Sequence, residues 1–238
     1  MSLEFRHIAY AYGHGASETR ALEDISLIAR DGEITCLLGA SGCGKSTLLN
    51  LAAGMLRVQS GSVHLGGELL ADGTTNPAPE DRPVGLVFQD GALFPHMTIA
   101  KNVGFGLPKS DQDAVEGWLD LVGLPGLGGR YPHELSGGQQ QRAALARAMA
   151  PRPQALLMDE PFASVDIVRR RKLRRECRDL LRERGATVLL VTHDPEEAID
   201  IADQIAVMDA GRILQIGTPQ ELRDAPASDA VAAFFDES

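Results

Sequence analysis

Gly39-Ala40-Ser41-Gly42-Cys43-Gly44-Lys45-Ser46 lies between the apolar run Ile34-Thr35-Cys36-Leu37-Leu38 and a helical pattern from Lys45 to Ala53. The eight residues fit G-x-x-x-x-G-K-[ST], a phosphate-binding loop. Gly39, Gly42 and Gly44 leave room for the backbone to curl, so that N–H groups face phosphate oxygens. The helix that follows adds its positive N-terminal end. Lys45 supplies a point charge to the β- and γ-phosphates, the Ser46 hydroxyl fits a Mg²⁺ ligand, and Thr47 adds a phosphate contact. A buried strand feeding a glycine loop that feeds a helix is the context this motif requires. By itself the string implies a nucleoside triphosphate and no particular use of it.

Around it, short apolar runs alternate with amphipathic stretches, which predicts an α/β fold. Val84–Phe88, Ala155–Met158 and Val188–Val191 read as further strands, the last two ending at polar residues. Leu3 to His7 and Ile25 to Ala29 alternate more and predict an antiparallel edge. Ile205–Met208 and Ile213–Ile216 flank the turn signal Asp209-Ala210-Gly211. From Asp90 to Ala150 the pattern is helical and cut by Gly and Pro, whereas Asp72 to Pro79 is a loop by composition.

At 238 residues, 44% hydrophobic and 24% charged, the chain can bury a sizeable core. No apolar run approaches the ~18 residues of a membrane span, and no signal peptide is visible. The expectation is a chain that does not cross a membrane, so that transport would require separate membrane subunits. A formal net charge of -10 argues against broad binding to nucleic acid. The basic run Arg169-Arg170-Arg171-Lys172 continues through Arg174, Arg175, Arg178, Arg182 and Arg184. Glu176, Asp179 and Glu183 are interleaved at helical spacing, which predicts a solvated helix face. Cys36, Cys43 and Cys177 have neither metal-ligand nor disulfide spacing and read as reduced thiols.

A second string, Leu135-Ser136-Gly137-Gly138-Gln139, stands downstream of the phosphate loop. It offers a serine hydroxyl, two glycines for close backbone approach, and the start of a helix that continues through Gln140 to Ala148. A helix N-terminus with glycines suits an anion. Together the two strings resemble the ATP-binding cassette (ABC) ATPases, the engines of ABC transporters, and the resemblance runs from about Leu3 to Leu222. It implies a P-loop NTPase core, a mixed and mainly parallel sheet with helices, joined by an antiparallel β subdomain and an inserted α-helical subdomain. The expected division is one ABC ATPase domain over 1–238. Its core would comprise 1–89 and 151–238, and its helical part 90–150 would carry the second string.

The resemblance also implies roles. Asp159, twenty positions after Gln139, matches the Walker B carboxylate that holds Mg²⁺ directly or through water. Glu160 matches the catalytic glutamate that orients and polarises the attacking water. His193, opening His193-Asp194-Pro195-Glu196-Glu197-Ala198, matches the switch histidine that senses the γ-phosphate. Gln89, ending the Val84–Phe88 strand, matches the glutamine that reaches Mg²⁺ and water. Tyr12, with Tyr10 as rival, matches the aromatic that stacks on adenine. The implied ATP site is therefore Tyr12, Gly39, Ala40, Ser41, Gly42, Cys43, Gly44, Lys45, Ser46, Thr47, Gln89 and His193. Catalysis falls to Glu160, His193, Gln89 and Lys45, and Mg²⁺ to Ser46, Gln89 and Asp159.

In the resembled family the second string closes over ATP held by another chain. Ser136, Gly137, Gly138, Gln139 and Asp166 would thus act in trans, in a head-to-tail dimer with two ATPs at its interface. Ala163 stands where the family commonly has serine, and Ser164 follows it, which puts a serine contribution across that interface in doubt. The implied function is the ATP-hydrolysing subunit of an importer, cytoplasmic and peripheral on the inner face of the bacterial membrane. Its permease subunits would touch the chain near Asp90–Met97, where Phe94-Pro95 forms an apolar pair, and an extracytoplasmic binding protein would belong to the same system. Leu93-Phe94-Pro95-His96-Met97-Thr98 and Arg130-Tyr131-Pro132-His133-Glu134-Leu135-Ser136 resemble importers of ferric iron, sulfate, polyamines or thiamine, the ferric-iron type foremost. Many members continue into a C-terminal regulatory domain; this sequence ends at Ser238. The other class considered is a non-transport ABC protein acting on nucleic acid or ribosomes. The absence of a heptad run between Ser46 and Leu135 and the presence of a single cassette argue against it.

Overall fold

The computed structural model of this chain describes residues 1–13, 15, 18–89, 91–163, 165 and 167–235, with 167–169 described by backbone alone. Two strands form the expected antiparallel edge, longer than their apolar runs suggested: β1 (Leu3–Tyr12) and β2 (Thr19–Ala29), paired from Leu3 opposite Ala29 to Tyr12 opposite Thr19 with register shifts between Phe5 and Ala11. β4 (Ser60–Leu65) and β5 (Glu68–Asp72) extend this sheet to the order β2-β1-β4-β5. The sequence reading had no strand at either place. Gly66 and Gly67 join them, with φ of 60° and 85°. Positive φ at both central residues is what a tight hairpin turn demands, and only glycine adopts it without strain.

The second sheet has six strands in the order β10-β9-β3-β8-β7-β6. These are β3 (Ile34–Leu38), β6 (Val84–Val87), β7 (Ala155–Asp159), β8 (Val188–Thr192), β9 (Gln204–Asp209) and β10 (Arg212–Gly217). The pairs β3–β8, β3–β9, β6–β7 and β7–β8 are parallel, and only β10 runs antiparallel. β3 and β8 are buried at every position, as strands covered on both faces must be. Alternation assigns Leu37 to one face, with Leu48, Leu49 and Ala52 of α1 (Lys45–Ala53) and the antiparallel sheet. Ile34, Cys36 and Leu38 face the other side, with Leu145, Leu173, Leu181 and Ala198. Each fully buried leucine contributes about 1.5–3 kcal/mol.

Between β6 and β7 come α2 (Ile99–Val103), α3 (Val115–Leu121) and α4 (Gly137–Met149), linked by 3-10 turns at the Gly and Pro positions. They enclose an apolar cluster of their own around Ile99, Val103, Leu119, Leu124 and Ala143. α5 (Ile167–Glu183) presents the solvated face expected of the basic run, with Arg171, Lys172, Arg175, Glu176, Asp179, Arg182 and Glu183 exposed, and departs from it at one position. Leu173, Cys177 and Leu181 are buried, and Arg174 between them is only 2% exposed. α6 (Pro195–Ile201), α7 (Pro219–Asp224) and α8 (Asp229–Ala232) complete the described chain, and Phe235 closes on the second core.

Candidate functional site

Strand register builds the site. Leu38 pairs with Thr192, Val191 with Asp159, and Met158 with Val87. The next residues of three neighbouring strands, Gly39, His193 and Glu160, therefore emerge along one edge of the sheet, and Gln89 follows two residues beyond the end of β6. In parallel α/β sheets the crevice beyond the carboxyl ends is where ligands bind.

The glycine loop is fitted closely to its surroundings. A Cβ on Gly39 would stand 2.2 Å from the Met208 carbonyl oxygen, and one on Gly44, where φ is 108°, would stand 2.4 Å from that of Ala21. Both positions thus exclude a side chain. Lys45 is buried beneath the loop and its Nζ donates to the carbonyls of Gly39 (2.7 Å) and Ala40 (2.9 Å). Its ammonium is thereby held at the centre of the anion cradle. Cys43 is buried and free, as are Cys36 and Cys177. Burial pushes the Cys36 and Cys177 thiols up, the latter to about 12.

Ser46 Oγ donates to Asp159 Oδ1 at 3.1 Å, joining the loop to the end of β7. Burial pushes the Asp159 carboxyl above its ordinary value and Glu160 adds to this, while Ser46 and Lys45 pull the other way. A desolvated carboxylate beside a hydroxyl is a fit for a small hard cation. Mg²⁺ takes one or two protein oxygens and fills its remaining positions with phosphates and water. Among the described residues no cluster of three His, Cys, Asp or Glu offers a self-sufficient metal site.

Tyr12 Oη and Thr47 Oγ1 are 3.0 Å apart, which sets an exposed ring beside the loop. Tyr10 meets it edge-on, with ring centroids 5.0 Å apart, but is half-buried against the core. Only Tyr12 is placed at the loop itself.

Glu160 carries the sharpest local signature. Its φ is 43°, rare for a residue with a side chain and costing about 1–3 kcal/mol. Its N–H donates to Val191 O at 2.9 Å, and its Oε1 lies 2.9 Å from His193 Nδ1. The strained turn sets the carboxyl beside the histidine. Gln89 is exposed one residue beyond Phe88. Of the expected permease contact, Asp90 lies outside the described residues. Phe94 is half-buried against Phe105 (4.6 Å), with the Arg147 guanidinium 5.4 Å from its ring, while Pro95 and Phe105 are exposed.

Ser136 caps α4: its Oγ accepts from Gln139 N at 3.4 Å while Gln139 Oε1 accepts from Ser136 N at 2.9 Å. This reciprocal box presents the Ser136–Gln139 turn at the surface, with Gly138 free of close neighbours. Among the described residues no hydrogen bond or ion pair joins Ser136–Gln139 to Gly39–Thr47. Asp166 and Ser164 lie outside the described residues.

One group of residues at this edge escaped the sequence reading. Arg174 pairs with Asp194, with Glu197 at 3.4 Å and with Asp200 at 3.7 Å, directly behind His193. The available signal was the carboxylate repeat Asp194, Glu197, Asp200, three apart on one face of α6.

The model of the ABC transporter family matches residues 22–163. The chain belongs to the ABC transporter family. It is 50% identical over 223 residues to a sulfate/thiosulfate import ATP-binding protein of Chromobacterium violaceum, covering 92% of this chain and 60% of that one. It is 45% identical over 244 residues to a spermidine/putrescine import ATP-binding protein of Mesorhizobium japonicum, covering 100% and 66%. It is 48% identical over 224 residues to an Fe(3+) ions import ATP-binding protein of Rhizobium etli, covering 92% and 62%. The chain thus spans about 60–66% of the length of these relatives. Among solved structures it is similar to the dimeric post-hydrolysis state of the ATP-binding cassette MJ0796 bound to ADP and Pi. The TM-score is 0.77 at 27% identity, covering 91% of this chain and 98% of that one. The α/β sheet with its antiparallel companion and helical insertion is accordingly an ABC cassette fold.

Proposed function

We propose that this chain is the ATP-hydrolysing subunit of an ABC importer. In this reading ATP, with its Mg²⁺, lies over Lys45 and Ser46, and Tyr12 stacks on adenine. Mg²⁺ would be held by Ser46, Asp159 and Gln89, and would neutralise charge developing on the phosphates. Glu160 orients the attacking water, and His193 holds Glu160 while touching the γ-phosphate. Ser136, Gly137, Gly138, Gln139 and Asp166 complete the site of a second copy, in head-to-tail pairs. The observation that carries the reading is the paired geometry at one sheet edge: Ser46 Oγ to Asp159 Oδ1 at 3.1 Å, beside Glu160 Oε1 to His193 Nδ1 at 2.9 Å.

The exposed turn at Ser136 and the dimeric cassette of known structure support the two-copy arrangement. The partially exposed aromatic surface at Phe94 and Phe105 supports permease contact next to Asp90–Met97, with 1–89 and 151–238 as core and 90–150 as the helical part. Among the described residues no helix is long and apolar enough to cross a membrane, which fits a subunit peripheral to a permease on the cytoplasmic face. For cargo, ferric iron stands first on the loops 93–98 and 130–136; sulfate, polyamine and ferric iron all occur among the relatives' names. The test is Mg²⁺-dependent ATP hydrolysis by the purified chain, with Lys45→Ala weakening nucleotide binding. Absence of ATP binding by the wild-type chain, or unchanged affinity in the variant, would overturn the reading.

A further inference from the structure

Four side chains behind the catalytic edge close a ring that the proposed chemistry does not by itself require. Glu160 Oε1 meets His193 Nδ1 at 2.9 Å. The next residue, Asp194, caps α6, its Oδ1 accepting from the N–H groups of Glu196 (3.0 Å) and Glu197 (3.3 Å). Its other oxygen faces α5, where it meets Arg174 and lies 3.8 Å from Arg170 Nη1. Arg170 then turns to the segment that follows Glu160. Its Nη2 donates to the carbonyls of Val165 (3.1 Å) and Ala163 (3.4 Å), and its Nε donates to Val165 O (3.3 Å). The ring closes where Ala163 N–H donates to the Glu160 carbonyl at 3.2 Å.

We propose that Arg170 is a positioning residue that ties Ala163 and Val165 to the His193–Asp194 turn, so that Glu160 and His193 stay in register. The proposal rests on the ATPase reading above. A planar guanidinium suits the task because its fork of donors reaches two carbonyls and a carboxylate at once. Lysine offers one point charge and cannot span all three. Arg174 is the foundation of the arrangement. It is buried, and its charge is matched by Asp194, Glu197 and Asp200, so Asp194 is held from behind while Arg170 holds it from the side. Arg170 touches neither nucleotide nor water in this account; it acts through His193 and Glu160.

The test is a mutant cycle on the full chain. Arg170→Ala should lower kcat by about 10–100-fold, the scale on which small misplacements of catalytic groups act. The KM for ATP and nucleotide affinity should stay within about twofold, since the glycine loop is untouched. In the background of His193→Ala, adding Arg170→Ala should cost less than about threefold more, because the group it positions is gone. Arg170→Lys should fall between, and Arg171→Ala, an exposed neighbour on the same helix, should match wild type. Equal, additive losses with and without His193, or wild-type kcat in Arg170→Ala, would overturn the proposal while leaving the ATPase reading intact. A wild-type chain without turnover would overturn that reading instead. Should Arg170→Ala not fold, the cycle is run with Arg170→Lys, and additivity there refutes the tie equally.

Discussion

Replacing Glu160 by Gln removes the carboxylate charge and keeps the shape. The amide can still meet His193 Nδ1 at the 2.9 Å spacing, and the backbone strain at φ 43° is the same for both residues. Fold and nucleotide binding should therefore persist, with melting within about 2 °C of wild type. On the proposed reading, what is lost is the group that polarises the attacking water. A positioned general base contributes about 10²–10⁴-fold, or about 2.7–5.4 kcal/mol of barrier. Single-turnover hydrolysis of radiolabelled ATP, beside equilibrium binding of a fluorescent ATP analogue, separates chemistry from binding. The expected result is a rate reduced by that factor at unchanged affinity. Turnover within about threefold of wild type would refute the assignment. So would a variant that no longer binds ATP, because the lost function would then lie in architecture and not in chemistry.

Two further outcomes follow from groups away from the reacting atoms. Buried Arg82 holds the last carbonyls of α1, donating to Leu51 O (2.7 Å) and Ala52 O (2.9 Å), and also reaches Pro77 O and Asn76 Oδ1 (both 3.1 Å). Arg82→Met should cost about 3–5 kcal/mol, by removing charge-assisted bonds and orphaning buried acceptors, and urea unfolding should show a midpoint lower by about 1–2 M. Burial pushes the Glu197 carboxyl from 4.5 up to about 7, against the pull of Arg174. The native state then binds more protons than the unfolded chain between those pH values, so this group's contribution to stability falls as pH rises from about 4.5 to 7. Relative to wild type, Glu197→Gln should gain up to about 3 kcal/mol across that window in denaturant titrations at several pH values; a constant difference would contradict the shift.

Much of this was legible because the signals were local. The buried strand Ile34–Leu38, the glycine loop and the helix from Lys45 lie within twenty residues, and each constrains the next. The edges were less so. β4 reads Ser60-Gly61-Ser62-Val63-His64-Leu65, with only Val63 and Leu65 buried, and pairing to distant β1 makes it a strand. Arg174 sits among arginines and looks like one more solvated charge. Its burial depends on α6 presenting three carboxylates to it, a long-range fact that no spacing within α5 reveals. Tyr10 and Tyr12 are equivalent in sequence, and only the contact of Tyr12 with Thr47 separates them.

The central claim is that each ATP is enclosed by Lys45 of one copy and Ser136 of another. Lys45→Ala and Ser136→Arg chains, each also carrying Glu160→Gln to hold the nucleotide, should fail singly to trap Mg²⁺–ATP in a dimer. Mixed, they regenerate one intact composite site, and sedimentation with labelled ATP should show dimers holding one trapped ATP per two chains. If the mixture traps no more than the separate chains do, the nucleotide is not shared between copies and the account is wrong.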